Sequence, residues 1–201
     1  MDASFYTTTH QDAFLLVDES AAARDVYTLQ CGASSGAVRV IRGWKCTTYE
    51  SLHSEIGAAL QFPEYYGENW DALDECLTDL AWLPAEWYLL HLRRVEKVLQ
   101  KDTDGLRTLI RILRDASLEW ADPRRQGWTV NENQVAVPFH TVISGTAAGL
   151  ERARTVIASI SINGAKLPVA AEPAQRSGPT PSRPSRGPAE PGVRRFLDLR
   201  R

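Results

Sequence analysis

The chain is poor in the residues from which cross-links and metal sites are made. Among 201 residues there are three cysteines, four histidines and one methionine. Cys31, Cys46 and Cys76 are odd in number and lack paired spacing, which argues against a disulfide framework. None stands near a histidine at a zinc-ligand interval. His10, His53, His91 and His140 are scattered and accompany no motif. There is no GxSxG elbow and no phosphate-binding glycine loop. No apolar run approaches the length needed to cross a bilayer. No basic residue precedes Arg24, so the start lacks the positive charge of a secretory signal. A reduced, cytoplasmic setting is the expectation.

Lysine and arginine are also missing locally. From Pro63 to Trp82 there is no basic residue, yet there are six acidic ones: Glu64, Glu68, Asp71, Asp74, Glu75 and Asp79. The opposite imbalance falls at 164–201, where eight basic residues face three acidic ones. The formal net charge of −2 hides this asymmetry, which points to a charged partner or a charged tail. With 43% hydrophobic residues and six tryptophans, the chain can bury a sizeable core.

Along the chain, Phe14–Val17 and Val26–Leu29 each read as a short strand, in a β addition or a loosely ordered arm. Val38–Ile41 reads as a strand. Thr47, with Glu50 three residues on, predicts a capping box for a helix from about Thr48 to Gln61, on which Leu52, Ile56 and Leu60 recur every fourth residue. Pro63 stops it, Gly67 turns the chain and Asn69 is an N-cap for the next helix. Trp87–His91 reads as a strand, Leu92–Gln100 as a short helix, and Leu106, Leu109, Ile110, Leu113 and Ala116 mark an amphipathic helix. Ala121–Gln134 reads as a loop, Val135–Ile143 as a strand and Ala147–Ile160 as a helix. From 164 onward Pro, Ser, Gly and Arg dominate, the composition of a disordered tail. This alternation predicts an α/β layer with a small, largely parallel sheet.

The most informative segment is Pro63–Leu80. At about 100° per residue, Asp71, Asp74, Glu75 and Thr78 fall within roughly 100° of arc, with Trp70, Leu73, Leu77 and Leu80 opposite. Cys76 falls on the apolar side, as a buried thiol would. Carboxylates three and four residues apart form a ladder with Cβ spacings of about 5–6 Å, comparable with successive phosphates. A cationic cleft built for phosphates would relieve their mutual repulsion. A solvated helix face is the plain alternative. Tyr65 and Tyr66 fit either interface contacts or core positions.

The run Pro63-Glu64-Tyr65-Tyr66-Gly67-Glu68-Asn69, then Asp71-Ala72-Leu73 and Cys76-Leu77-Thr78, resembles the signature of the barstar family. The order of elements over Ala37–Ser144 is similar too. The resemblance implies a three-stranded parallel sheet flanked by helices and an inhibitor of a small basic ribonuclease of the barnase type. The acidic helix and the loop before it would enter the nuclease active site. Tyr65 would pack near a catalytic histidine, Gly67 and Asn69 would shape the loop, and Asp71 would pair with an arginine. Glu75 would occupy a phosphate site and Thr78 would bond at the rim. Asp115, with Glu119 as its rival, would add an acidic contact. Glu75 departs from the family's aspartate by one methylene, and Asp74 and Leu80 stand where two tryptophans would be.

The expected layout is an N-terminal extension (1–36), a barstar-like domain (37–145), an additional helix (146–163) and a tail (164–201). No cofactor, metal, nucleic-acid contact or membrane contact is implied. The rival readings are a regulatory module for another cationic partner, a metal-dependent phosphoesterase using Asp71, Asp74 and Glu75, and an adaptor acting through the basic tail.

Overall fold

The computed structural model describes residues 13–32, 35–122, 136–162 and 165–166. Most of the expected 121–134 loop and of the 164–201 tail lies outside them. Strands β1 (Phe14–Asp18), β2 (Gly36–Arg42), β3 (Trp87–Arg93) and β4 (Phe139–Gly145) form one parallel sheet in the order β1-β4-β3-β2. Helix α1 (Glu19–Gly32) links β1 to β2, which lie at opposite edges. Helices α2 (Tyr49–Leu60) and α3 (Trp70–Asp79) separate β2 from β3, α4 (Thr103–Ala121) separates β3 from β4, and α5 (Ala147–Ser159) follows. A two-residue pair, β5 (Ser161–Ile162) with β6 (Ala165–Lys166), is antiparallel.

The sheet therefore has four parallel strands where three were expected. The additional one is β1, whose FLLV run is buried throughout and splits by alternation. Phe14 and Leu16 join the large core beneath α2–α5, while Leu15 and Val17 face α1 together with Val38, Leu89 and Val142. Both faces are covered, which is why these strands read as near-continuous apolar runs rather than alternating ones.

Three further expectations are corrected. Val26–Leu29 is helical, because Ala22 and Val26 one turn apart give α1 its buried stripe against the sheet. A four-residue apolar run does not distinguish strand from helix by itself. The capping box uses Thr48 and Ser51 rather than Thr47 and Glu50: the Thr48 side chain accepts from the Ser51 amide, and Ser51 Oγ accepts from the Thr48 amide. Leu92–Gln100 is not a helix; β3 runs on to Arg93 and a single 3₁₀ turn, Val95–Lys97, follows.

A buried polar chain ties the added strand to the others. His91 Nε2 lies 2.8 Å from Ser144 Oγ, which donates to Glu19 Oε2 at 2.5 Å; Arg93 Nε donates to Glu19 Oε1 at 2.7 Å. Burial opposes ionisation of Glu19, but the bonds from Ser144 and Arg93 prevail and hold its carboxyl below the usual range. His91 is 1% exposed, and burial depresses it to about 4 despite the nearby Glu19. The folded value thus lies below the unfolded one. Neutral His91 stabilises the fold above about pH 6.5, and that contribution, about 3 kcal/mol, is lost as the pH falls toward 4. Denaturant midpoints between pH 7 and 4 should show this slope, and His91→Gln should flatten it; an equal slope in the variant would contradict the assignment.

Candidate partner-binding face

Helix α3 owes its orientation to its apolar side. Leu73, Cys76 and Leu77 are buried, and so is Leu80, whose left-handed conformation (φ 44) ends the helix. Its start is fixed by Asn69, whose side chain accepts from the Ala72 amide at 2.9 Å and donates to Gly67 O at 3.2 Å. A Cβ on Gly67 would come within 2.9 Å of Asn69 Nδ2, so a larger residue here would have to displace the capping side chain. Two indoles bond helix-end carbonyls, one on α3 and one on α2. Trp120 Nε1 on α4 donates to Leu77 O at 2.8 Å, satisfying a last-turn carbonyl, and Trp82 Nε1 donates to Leu60 O at 3.1 Å.

With that side pinned, the acidic side faces outward. Asp71 and Glu75 are exposed, whereas Asp74 and Thr78 are half-buried. The Thr78 hydroxyl bonds back to the carbonyls of Asp74 and Glu75 at 3.0 and 3.1 Å, which leaves its oxygen free only to accept from a partner. Helix α4 packs against α3 and brings Asp115 near Asp74. Burial first, then the Asp115 charge, raises the Asp74 carboxyl above its ordinary value; Asp71 and Glu75 add to this and Arg111 opposes it. Asp115 itself is engaged: Arg114 Nη2 lies 2.6 Å from its Oδ1, and Arg111 Nη1 lies 3.7 Å from its Oδ2.

The two tyrosines have separate places. Tyr65 is 71% exposed, the most prominent aromatic of this face. Tyr66 turns inward, and its hydroxyl meets His53 Nδ1 at 2.5 Å. His53, fully buried on α2, stacks with Tyr49 at 4.4 Å and with the edge of Trp70 at 4.8 Å, while Phe62 packs on Tyr66 at 4.7 Å. Burial lowers the His53 pKa despite the nearby Glu68 and Glu50 carboxylates, which favours the neutral ring. This aromatic cluster fixes the 61–69 loop against α2, helped by Ser54 Oγ donating to Glu68 Oε1 at 3.3 Å. Glu68 adopts a left-handed backbone (φ 48) that a non-glycine residue takes only under such constraint.

Tyr65, Gly67, Asn69, Asp71, Asp74, Glu75 and Thr78 thus lie on one loop–helix unit, and Asp115 joins it from α4. Sequence reasoning missed the His53–Tyr66 bond and the two arginines, Arg111 and Arg114. The i, i+4 spacing of Arg111 and Asp115 was the available sign of the former arginine. Nothing in the sequence chooses which of two adjacent tyrosines turns inward.

The fold and this face define a parallel α/β domain that turns the acidic side of α3 outward. Residues 36–132 match the family model described as Barstar (barnase inhibitor), a span that begins at β2 and contains α2, α3, β3 and α4. That segment is a barstar-like domain. A Bacillus subtilis (strain 168) protein named "Putative ribonuclease inhibitor YrdF" is 44% identical over 45 residues, which is 22% of this chain and 50% of that relative. The chain thus spans about half the length of that relative. The solved Aeropyrum pernix ORC2 protein (ADPNP-ADP complexes) aligns with a TM-score of 0.43 at 10% identity, covering 72% of this chain and 38% of its own; a likeness this slight bears on no function.

Two substitutions test how the loop–helix unit is held. Tyr66→Phe removes the partner of His53 Nδ1, should cost about 1–2 kcal/mol and should speed amide exchange across residues 62–69. Asn69→Ala should cost about 1 kcal/mol through loss of the cap. Unchanged exchange in the first variant would show that the loop is held by packing alone.

Proposed function

We propose that this protein is an inhibitor of a small basic ribonuclease, acting by occlusion rather than catalysis. The observation that carries the reading is the outward presentation of Asp71 and Glu75, with Asp74 half-buried between α3 and α4 and Tyr65 exposed. A nuclease cleft built to bind phosphates offers the complementary charge, which would speed encounter and select the partner. Tyr65 supplies a flat amphipathic anchor of the kind enriched at interface centres. Glu75 would enter the phosphate site, its extra methylene lengthening the reach, with Asp71 pairing an arginine and Asp115 adding a contact from α4. Gly67 and Asn69 shape the loop, and Thr78 accepts a bond at the rim.

The family description and the name of the Bacillus relative support this reading. It needs no cofactor, nucleic acid or membrane, and it suits a cytoplasmic protein that guards its own cell against a nuclease before export. Among the described residues no helix is long and apolar enough to cross a membrane, and no three His, Cys, Asp or Glu side chains are placed to hold a metal ion.

The test is titration into barnase while RNA cleavage is followed. Activity should fall stoichiometrically, with weaker inhibition at high salt. Glu75 is exposed, so Glu75→Ala should leave the unfolding midpoint unchanged while weakening the complex by about 3 kcal/mol, roughly a hundredfold. Full potency in the variant would overturn the proposed pose.

A further inference from the structure

The acidic face is not uniformly acidic. Helix α4, packed against α3, brings Arg111 within electrostatic reach of Asp74, with 51% of the arginine side chain exposed. Its ion pair with Asp115 is long, at 3.7 Å. It also runs in the weaker helical order, the cation standing N-terminal to the anion. Arg114 differs sharply. Its side chain is 8% exposed, and its Nε and Nη2 both donate to Asp115 Oδ1, at 2.8 and 2.6 Å. One guanidinium is therefore built in, and the other is held loosely where it can exchange partners.

Asp74 is the meeting point of these charges: the carboxylates of Asp71 and Glu75 on α3 and of Asp115 on α4 all act on it, and so does Arg111. The mutual repulsion of the carboxylates is a cost the free protein must offset. Arg111 offsets it, for it opposes the other three carboxylates at Asp74 as well as pairing with Asp115.

We propose that Arg111 is a built-in counter-ion of the acidic face, standing in the free protein where a cation of the partner stands in the complex. The inference rests on reading that face as the partner-binding surface. When a nuclease supplies its own arginines or lysines, Arg111 must leave Asp115. It is then left without its counter-charge unless the partner presents a carboxylate to receive it. Arg111 thereby discriminates between partners: a cleft that is only basic is repelled, and a basic cleft with an acidic side chain on the rim facing α4 is accepted. Specificity of this kind comes from placing a like charge against the wrong partner.

The experiment is Arg111→Gln in the full chain, with Arg154→Gln on α5 as a control of equal charge change. Two readings are taken. In the free protein, the Asp74 carboxyl titration followed by NMR should move upward in Arg111→Gln and stay put in the control. In stopped-flow with barnase at low ionic strength, association should quicken roughly threefold to tenfold in Arg111→Gln alone, and the gain should vanish at 1 M salt, where charges are screened beyond about 3 Å. An unmoved Asp74 titration overturns the counter-ion role, and an unchanged or slower association overturns the exchange with the partner's cation. If neither wild type nor variant binds any basic ribonuclease, the inhibitor reading fails by itself, and the Asp74 titration still decides what Arg111 does.

Discussion

Everything at the candidate site depends on the burial of one side of α3. Leu73, Leu77 and Leu80 anchor the helix in the large core, where it packs against α4, and the Trp120 and Trp82 indoles bond the carbonyls at its far end and at the end of α2. A ten-residue helix is too short to hold itself together in water. Its shape comes from this docking and from the Asn69 cap. The backbone that carries the outward carboxylates is therefore set by packing, and in the proposed complex a partner need not order it. Preorganisation of this kind limits the entropy lost on association.

The loop before the helix is held by different physics. Tyr66 bonds His53 in a buried aromatic cluster, and Tyr65, its neighbour, points to solvent. One tyrosine secures the loop and the other stays exposed on the face proposed to bind a partner. On the opposite face of the sheet, α1 covers strands that would otherwise expose Val38, Leu89 and Val142. The Glu19–Ser144–His91 chain then joins β1 and α1 to β3 and β4. Both β1 and α1 precede the segment that matches the family model, so this protein closes its sheet with residues of its own outside that span.

What the sequence made legible follows from periodicity. The α3 stripe was readable because Leu73 and Leu77 recur at helical spacing while Asp71, Asp74 and Glu75 share the other arc, and Asn69 marked the start. The fourth strand was not readable with the same clarity. A run such as FLLV is compatible with a buried strand or a loose arm, and the deciding fact is a long-range pairing with Thr141–Ser144. Similarly, Thr47 and Thr48 are equivalent caps on paper, and the structure uses the second, with Ser51 completing the box. Arg111 was hidden for another reason. Ion pairs at i, i+4 usually mark a solvated face, and only the approach of α4 to α3 brings that guanidinium to the acidic ladder.

Occupancy of a nuclease's phosphate cleft is the centre of this account, and displacement reports on it most directly. A fluorescent mononucleotide bound in the active site of barnase can be titrated with this protein. Occlusion by α3 predicts one-for-one release of the nucleotide, with competitive dependence on its concentration. A complex that forms while the nucleotide stays bound would place the protein elsewhere on the nuclease and contradict occlusion by α3.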